Sequence, residues 1–197
     1  MPNLPDLRER RRRETAWMLQ KVTTQLVREQ GFEAVTTDAI ARAAGVSKRT
    51  FFNYYPNKEA AFFGEIPELD REDVDAFLTD EGPSPEALRR LMWTHTMNAR
   101  DRGDELRLII QLLATQPRVL EIYMAQREII TRSLACILAR KYPGGSDLYL
   151  HLLAHSLLTM SWSSIQRWLE EGVPLERSYD EAWQALSAVS KLILGQS

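Results

Sequence analysis

Apolar residues recur at three- and four-residue steps along nearly the whole chain, and no run alternates in the manner of a strand. Ala16, Leu19, Thr23, Leu26, Val27 and Gln30 mark a first helix. Gly31 ends it as a left-handed C′ residue, which lets Phe32 fold back onto the last turn. Thr36 or Thr37 offers the N-cap of a short helix containing Ile40, Ala41 and Ala44, closed by Gly45. Ser47 caps a third helix from Lys48 to about Tyr55, which Pro56 ends because proline disfavours helical geometry in the residue before it. Asn57 and Lys58 open a fourth through Phe63.

The pattern then changes. Residues 65–84 are acidic and contain Pro67, Gly82 and Pro83, which predicts a connector with one short helical piece around Val74–Leu78. Ser84, Pro85 and Glu86 supply a capping hydroxyl, a proline for the first turn and an early acid. From there helices are expected at about 85–102, 104–115, 117–141, 147–171 and 178–194. Their breaks are Gly103, Pro117, Pro143-Gly144-Gly145 and Gly172–Pro174. The expected fold is all-α, a small N-terminal helical unit on a larger helical bundle.

Composition narrows the class without naming it. With 197 residues, 44% hydrophobic and 26% charged, the chain is of ordinary globular make-up, which excludes disordered and fibrous classes. The single cysteine, Cys136, excludes an intrachain disulfide framework and a thiolate zinc cluster, and fits a reducing cytoplasm. No stretch approaches the ~18 apolar residues of a membrane span, so no membrane partner is expected. The polar, arginine-rich start, with no apolar segment behind it, predicts no secretory signal. Residues 1–60 carry 11 Lys and Arg against 7 Asp and Glu, a net +4, whereas the remainder carries −6. A polyanion partner would therefore meet the N-terminal part.

Residues 37–55 fit a helix-turn-helix. Two short helices that cross steeply need a tiny residue at their closest approach, which Ala41 supplies, and a cheap positive φ in the turn, which Gly45 can adopt. Ile40, Ala44, Val46 and Phe51 stand at the offsets that would pin the pair to a neighbouring helix. An αα-hairpin without a partner satisfies the same residues. The wider window separates the two. Gly31-Phe32-Glu33-Ala34-Val35-Thr36-Thr37, Ile40-Ala41, Ala43-Ala44-Gly45-Val46-Ser47, Thr50-Phe51-Phe52, Tyr54-Tyr55-Pro56 and Asn57-Lys58-Glu59-Ala60 closely resemble the N-terminal domain of the tetracycline-repressor (TetR) family.

That resemblance covers about residues 15–63. It implies a three-helix helix-turn-helix DNA-binding domain over 15–63, preceded by a basic arm at 1–14 and followed by an effector-binding and dimerisation bundle at 64–197. The implied function is a homodimeric transcriptional regulator, most often a repressor, released from a palindromic double-stranded operator by a small molecule. In that frame Lys48 and Arg49 reach base edges, where either can donate to guanine O6 and N7, and Phe52 offers apolar contact to a thymine methyl. The family commonly has tyrosine at that last position. Thr37, Ser47, Thr50, Asn53, Tyr54 and Lys58 match positions that contact phosphates, although the Tyr54 ring could instead pack beneath the turn. Arg8, Arg10, Arg11, Arg12 and Arg13 are either a solvated first turn or a flexible extension toward phosphates and the minor groove.

Bulky and polar residues of the larger bundle are the effector candidates, since such pockets are apolar with few polar anchors. They are Trp93, His95, Met97, Arg107 and Gln111, then Tyr123, Arg127, His155, Trp162 and Gln166. Arg107 and Arg127 suit an anion, and the stretch from Glu105 to Arg127 with Arg167-Trp168 resembles the family branch with acyl-coenzyme A ligands, so the effector is expected to be apolar or acyl-coenzyme A-like. His151 and His155 share one helix face, but no carboxylate sits between them as in a zinc hydrolase, so neither metal nor cofactor is expected. The resemblance implies that the last two long helices, about 147–171 and 178–194, form the homodimer interface; on their residues alone they could equally close the monomer's own bundle. No nucleophile elbow, phosphate loop or ligand cluster supports an enzyme. An effector-independent, nucleoid-type DNA-binding protein stays open.

Overall fold

The computed structural model describes residues 7–64, 69–82 and 84–193, with side chains from Arg11 to Leu192 within those ranges. Among the described residues there are helices and no strand. The helices are α1 (Leu7–Gln30), α2 (Thr37–Ala43), α3 (Lys48–Tyr54), α4 (Lys58–Phe63), α5 (Arg71–Thr79) and α6 (Pro85–Met97). A 3₁₀ turn (Arg100–Arg102) leads to α7 (Gly103–Thr115), α8 (Pro117–Lys141), α9 (Asp147–Glu171) and α10 (Leu175–Ile193). None of the described helices is long and apolar enough to cross a membrane.

Four boundaries differ from expectation, each for a local reason. α1 starts at Leu7, so Arg8–Arg13 lie within a regular helix and not in an irregular extension; Leu, Arg and Glu are all good helix formers. The expected arm residues 1–6 and the side chains of Arg8 and Arg10 lie outside the described residues. α5 extends over 71–79 because the Asp70 carboxylate accepts from the Glu72 and Asp73 amides at 2.8 and 3.4 Å, which caps it early. α6 ends at Met97, and the chain tightens through Ala99 N to Thr96 O and Arg102 N to Ala99 O. Gly103 therefore opens α7 instead of breaking a helix; a Cβ there would stand 2.9 Å from the Trp168 ring. α10 begins at Leu175, ahead of the expected start near 178, with the Ser178 amide donating to the Pro174 carbonyl inside the first turn.

The chain forms two compact units. The first holds the described residues up to Gly64 together with Leu108–Met124. Its core takes Leu19 and Val27 from α1, Phe32 and Val35 from the following loop, Ile40 and Phe51 from α2 and α3, and Phe62 from α4. Long-range hydrogen bonds tie this core together. Tyr55 Oη donates to the Ala16 carbonyl at 3.1 Å, and Gln20 Nε2 to the Phe63 carbonyl at 3.0 Å. Gly64 closes α4 at φ +73°, and a Cβ there would meet the Gln20 amide at 2.2 Å, so only glycine lets that bond form.

The second unit holds the described residues from Leu69 to Arg107 and from Ala125 onward. Phe77, Leu88, Leu91 and Met92 pack against Leu134 and Leu138 of α8, Leu150, Leu157 and Leu158 of α9, and Tyr179 of α10. Tyr179 is fully buried and donates its hydroxyl to the Arg89 carbonyl at 2.7 Å. Small residues let α9 approach its neighbours: Ser161 and Ser164 are buried, and the Ser161 hydroxyl meets that of Thr96 at 2.9 Å.

Candidate nucleic-acid interface

α2 and α3 are short, and both owe their register to hydroxyl caps. Thr36 Oγ1 accepts from the Ala39 amide at 3.2 Å, and Ser47 Oγ from the Thr50 amide at 3.0 Å. Between them Gly45 adopts φ +67°, and the Val46 amide returns to the Ala41 carbonyl at 2.9 Å, which turns the second helix across the first. Ile40, Ala41 and Phe51 are buried, Phe51 completely. Fully burying such a ring is worth about 1.5–3 kcal/mol, enough to hold a seven-residue helix that would not survive alone.

Anchoring Phe51 inward leaves the opposite face of α3 outward. Lys48, Arg49, Phe52 and Asn53 are exposed, Phe52 by 46%, its ring lying edge-on to Phe51 at 5.4 Å. The two cations differ in state. Lys48 Nζ lies 2.9 Å from Asp38 Oδ1 and 3.1 Å from Oδ2, an exposed ion pair between the two helices. Arg49 has no ion pair or hydrogen bond among the described residues, so its five donors are available to a ligand. Asp38 is the residue that inspection of the sequence missed. It stands in the first turn of α2, where an acid reads as a complement to the helix dipole. Its spacing from Lys48 becomes a contact only through the turn at Gly45.

The expected phosphate ligands divide as well. Ser47 and Thr50 bond each other's hydroxyls at 2.8 Å at the exposed start of α3, and Asn53 stands free on the same helix. Thr37 and Tyr54 are half-buried. Lys58 is engaged internally: its ammonium donates to the Phe32 and Glu33 carbonyls at 2.7 and 3.3 Å and sits 4.8 Å from the centre of the Phe32 ring. It closes the loop between α1 and α2 from the start of α4. Glu59 beside it is buried and paired with Arg118 of α8 at 3.1 Å. Arg11, Arg12 and Arg13 are exposed on α1.

The expected effector residues do not all point to an interior. Gln111 and Tyr123 belong to the first unit, the former exposed, the latter with its ring 6.3 Å from that of Phe63. In the second unit Arg107 is exposed and paired with Asp104 at 3.3 Å, and His155 is exposed on α9. These three exposed side chains, Arg107, Gln111 and His155, are surface residues in the folded chain. Trp93 and Met97 pack on the hydrophobic cluster, Trp93 edge-on to Tyr179 at 5.1 Å, while Trp162 and Gln166 are half-buried on α9.

His95 and Arg127 stand out. His95 follows Leu91 and Met92 on the inner stripe of α6; its Nδ1 is buried without a hydrogen-bond partner, and burial holds the imidazole pKa below its ordinary value. Arg127 precedes Thr131 and Leu134 on the inner stripe of α8. It donates one guanidinium nitrogen to Thr159 Oγ1 at 2.5 Å while its Nε is buried and unpartnered. Orphaned buried polar atoms of this kind are rare in folded proteins because each carries its full desolvation penalty.

Residues 19–63 match the family model of bacterial regulatory proteins, tetR family. Over 91% of this chain and 92% of the relative, the sequence is 29% identical to MftR of Mycobacterium tuberculosis, named for transcriptional regulation of mycofactocin biosynthesis. A shorter segment, 39% of this chain and 32% of the relative, is 38% identical to the HTH-type transcriptional regulator TcmR of Streptomyces glaucescens. Among solved structures, the fold resembles Thermus thermophilus FadR, a TetR-family transcriptional repressor crystallised with lauroyl-CoA. The TM-score is 0.55 and the identity 26%, over 87% of this chain and 92% of that one. A Clostridium perfringens protein named as a fatty acid metabolism regulator shares the fold at TM-score 0.58 and 19% identity, over 86% and 96% of the two chains.

Proposed function

We propose that this chain, which matches the model of the tetR family of bacterial transcriptional regulators over residues 19–63, is a homodimeric repressor of a palindromic operator, released by a small-molecule effector. Residues 15–63 read DNA, and residues 64–197 bind the effector and dimerise. Each subunit lays α3 in a major groove. Arg49 donates to a guanine edge, Phe52 touches a thymine methyl one turn on, and the Ser47–Thr50 hydroxyls, Asn53 and the exposed arginines of α1 meet phosphates. The observation that carries this is the unpaired Arg49 held outward at the first turn of α3 by a fully buried Phe51.

Two further features support the finer points. Leu148 and Leu152 are exposed by 69% and 56% on one stripe of α9, and Val189 and Leu192 by 50% and 81% on α10, which packs beside it. That much exposed apolar surface on adjacent helices fits a two-fold contact with a second copy. The unpartnered His95 Nδ1 and Arg127 Nε supply polar anchors for an anionic head group in an otherwise apolar bundle, and lauroyl-CoA in Thermus FadR is an anionic amphiphile of that kind. Effector binding that favours a different separation of the two reading heads lowers operator affinity by a coupling free energy of about 1–3 kcal/mol.

A mobility-shift titration with duplexes taken from the DNA flanking the gene tests this. The expected result is a discrete complex that competitor DNA of unrelated sequence does not displace, and that an acyl-coenzyme A dissociates. A salt-sensitive smear indifferent to sequence would instead mark an effector-independent, nucleoid-type binder.

A further inference from the structure

Far from Arg127, the second unit opens a cleft of about 940 Å³ where the end of α8, the start of α9, the end of α5, the start of α6 and one side of α10 meet. Arg127 and Arg140 are 13 residues apart on α8, which at 1.5 Å per residue separates them by about 20 Å. The cleft is therefore distinct from the polar pair assigned to the effector.

Its walls are apolar and aromatic: Leu88, Leu153, Tyr142, Tyr149 and Trp183 line it. Trp183 is held in place by stacking on the buried Tyr179, their centroids 6.3 Å apart and their planes 20° from parallel. Burial raises the Tyr142 hydroxyl pKa, with the nearby Tyr149 and Asp80 adding to it, so this phenol stays a proton donor.

Among the described residues that line the cleft there are two cations, Arg140 and Lys141, and one carboxylate, Asp80, which Arg90 engages at 3.6 Å. Lys141 is also committed, donating to the Asp80 carbonyl and lying 5.5 Å from the Phe77 ring centre. Arg140 lines the cleft, is exposed, and has no ion pair or hydrogen bond among the described residues. Beside it α9 begins. Ser146 Oγ accepts from the Tyr149 amide at 3.3 Å and Ser146 O from the Leu150 amide at 3.0 Å, which leaves the Asp147 and Leu148 amides outside the helix's own hydrogen bonds. The unpaired Arg140 guanidinium favours an anion at this edge, while the Asp147 carboxylate in the first turn of α9 offsets that helix's own positive end; the aromatic and leucine walls favour a flat apolar body.

We propose that this cleft is a second ligand site, for a small aromatic carboxylate. The carboxylate meets Arg140, and the ring lies against Trp183 and Tyr149. The site stands independently of the effector assignment.

The test is calorimetric titration of the full chain with 2-naphthoate, using variants whose folding is checked by thermal melts. Wild type is expected to bind one naphthoate per chain. Arg140→Gln removes the cation and should weaken binding at least tenfold. Gly144→Phe should also block it: a Cβ at Gly144 meets no atom within 4 Å and the backbone lies outside the left-handed region, so the ring can fill the mouth without strain. Arg127→Gln should leave naphthoate binding within twofold of wild type. Absence of saturable binding to wild type overturns the proposal. So does wild-type affinity in folded Arg140→Gln, or loss of binding in Arg127→Gln alone, which would place the probe at the effector anchors. Release of DNA by an acyl-coenzyme A, measured on Arg140→Gln, reports separately on the effector.

Discussion

Asp38→Asn isolates the most unexpected feature of the reading surface, the ion pair that ties Lys48 to α2. The pair is close, 2.9 Å, but both side chains are more than half exposed, so its strength is that of a solvated pair, about 0.2–1 kcal/mol. At that strength Lys48 is held beside Asp38 in free protein and must give up the contact, or share it, to meet a phosphate or base. Replacing the carboxylate by an amide releases the ammonium and removes a negative charge from the face that meets DNA. One more phosphate neutralised steepens the slope of log K against log salt by about 0.9. Affinity for unrelated duplexes at low salt should rise about 1.4- to fivefold, the range that 0.2–1 kcal/mol allows. Discrimination should fall, because the gain is independent of sequence. Fluorescence anisotropy with a random duplex and the operator, between about 50 and 200 mM salt, reads both quantities. Asp38 also complements the amino end of α2, so the variant should lose roughly 0.3–1 kcal/mol of stability, visible in a melt. A folded Asp38→Asn with an unchanged salt slope would refute the account, as would the same steepening in an Asp38→Asn, Lys48→Ala double variant.

Arg49→Ala should relax base preference at one operator position at about 1–3 kcal/mol, scored by competition against single-base variants. Lys58→Ala removes a charged donor from the Phe32 and Glu33 carbonyls and should destabilise the first unit by on the order of 1–2 kcal/mol in a denaturant melt, with base preference unaltered. Because burial lowers the His95 pKa, the unfolded chain takes up this proton first as pH falls. Its contribution is complete above the ordinary histidine value near 6.5 and is lost as pH drops below it, so the wild-type Tm should fall more steeply from about pH 7 to 5 than that of His95→Leu. Equal slopes would remove His95 from this role. Leu148→Glu with Leu152→Glu should convert a dimer to a monomer in analytical ultracentrifugation while leaving the helical signal intact.

Much of the architecture was legible because its determinants are local. Hydroxyl caps at Thr36, Ser47 and Ser84, the left-handed glycines 31 and 45, and the spacing of Ile40, Ala41 and Phe51 act within one or two turns, and the structure realises each of them. The amphipathic stripe that buries Phe51 also dictates that Arg49 and Phe52 face away from it. What tertiary structure alone decided is how groups far apart in sequence, or facing each other across a turn, share their charge. Lys48 and Lys58 look alike along the chain, yet one is paired with Asp38 at the surface and the other is drawn under the α1–α2 loop by two carbonyls. Arg107 and Arg127 were equal candidates for an anion, but Arg107 pairs with Asp104 within one turn whereas the half-buried Arg127 bonds Thr159 of α9 and keeps a buried, unsatisfied Nε. Helix periodicity reports which face is buried; the electrostatic state of a side chain depends on which partners the packing brings within about 4 Å, and that distance exists only once the helices have docked.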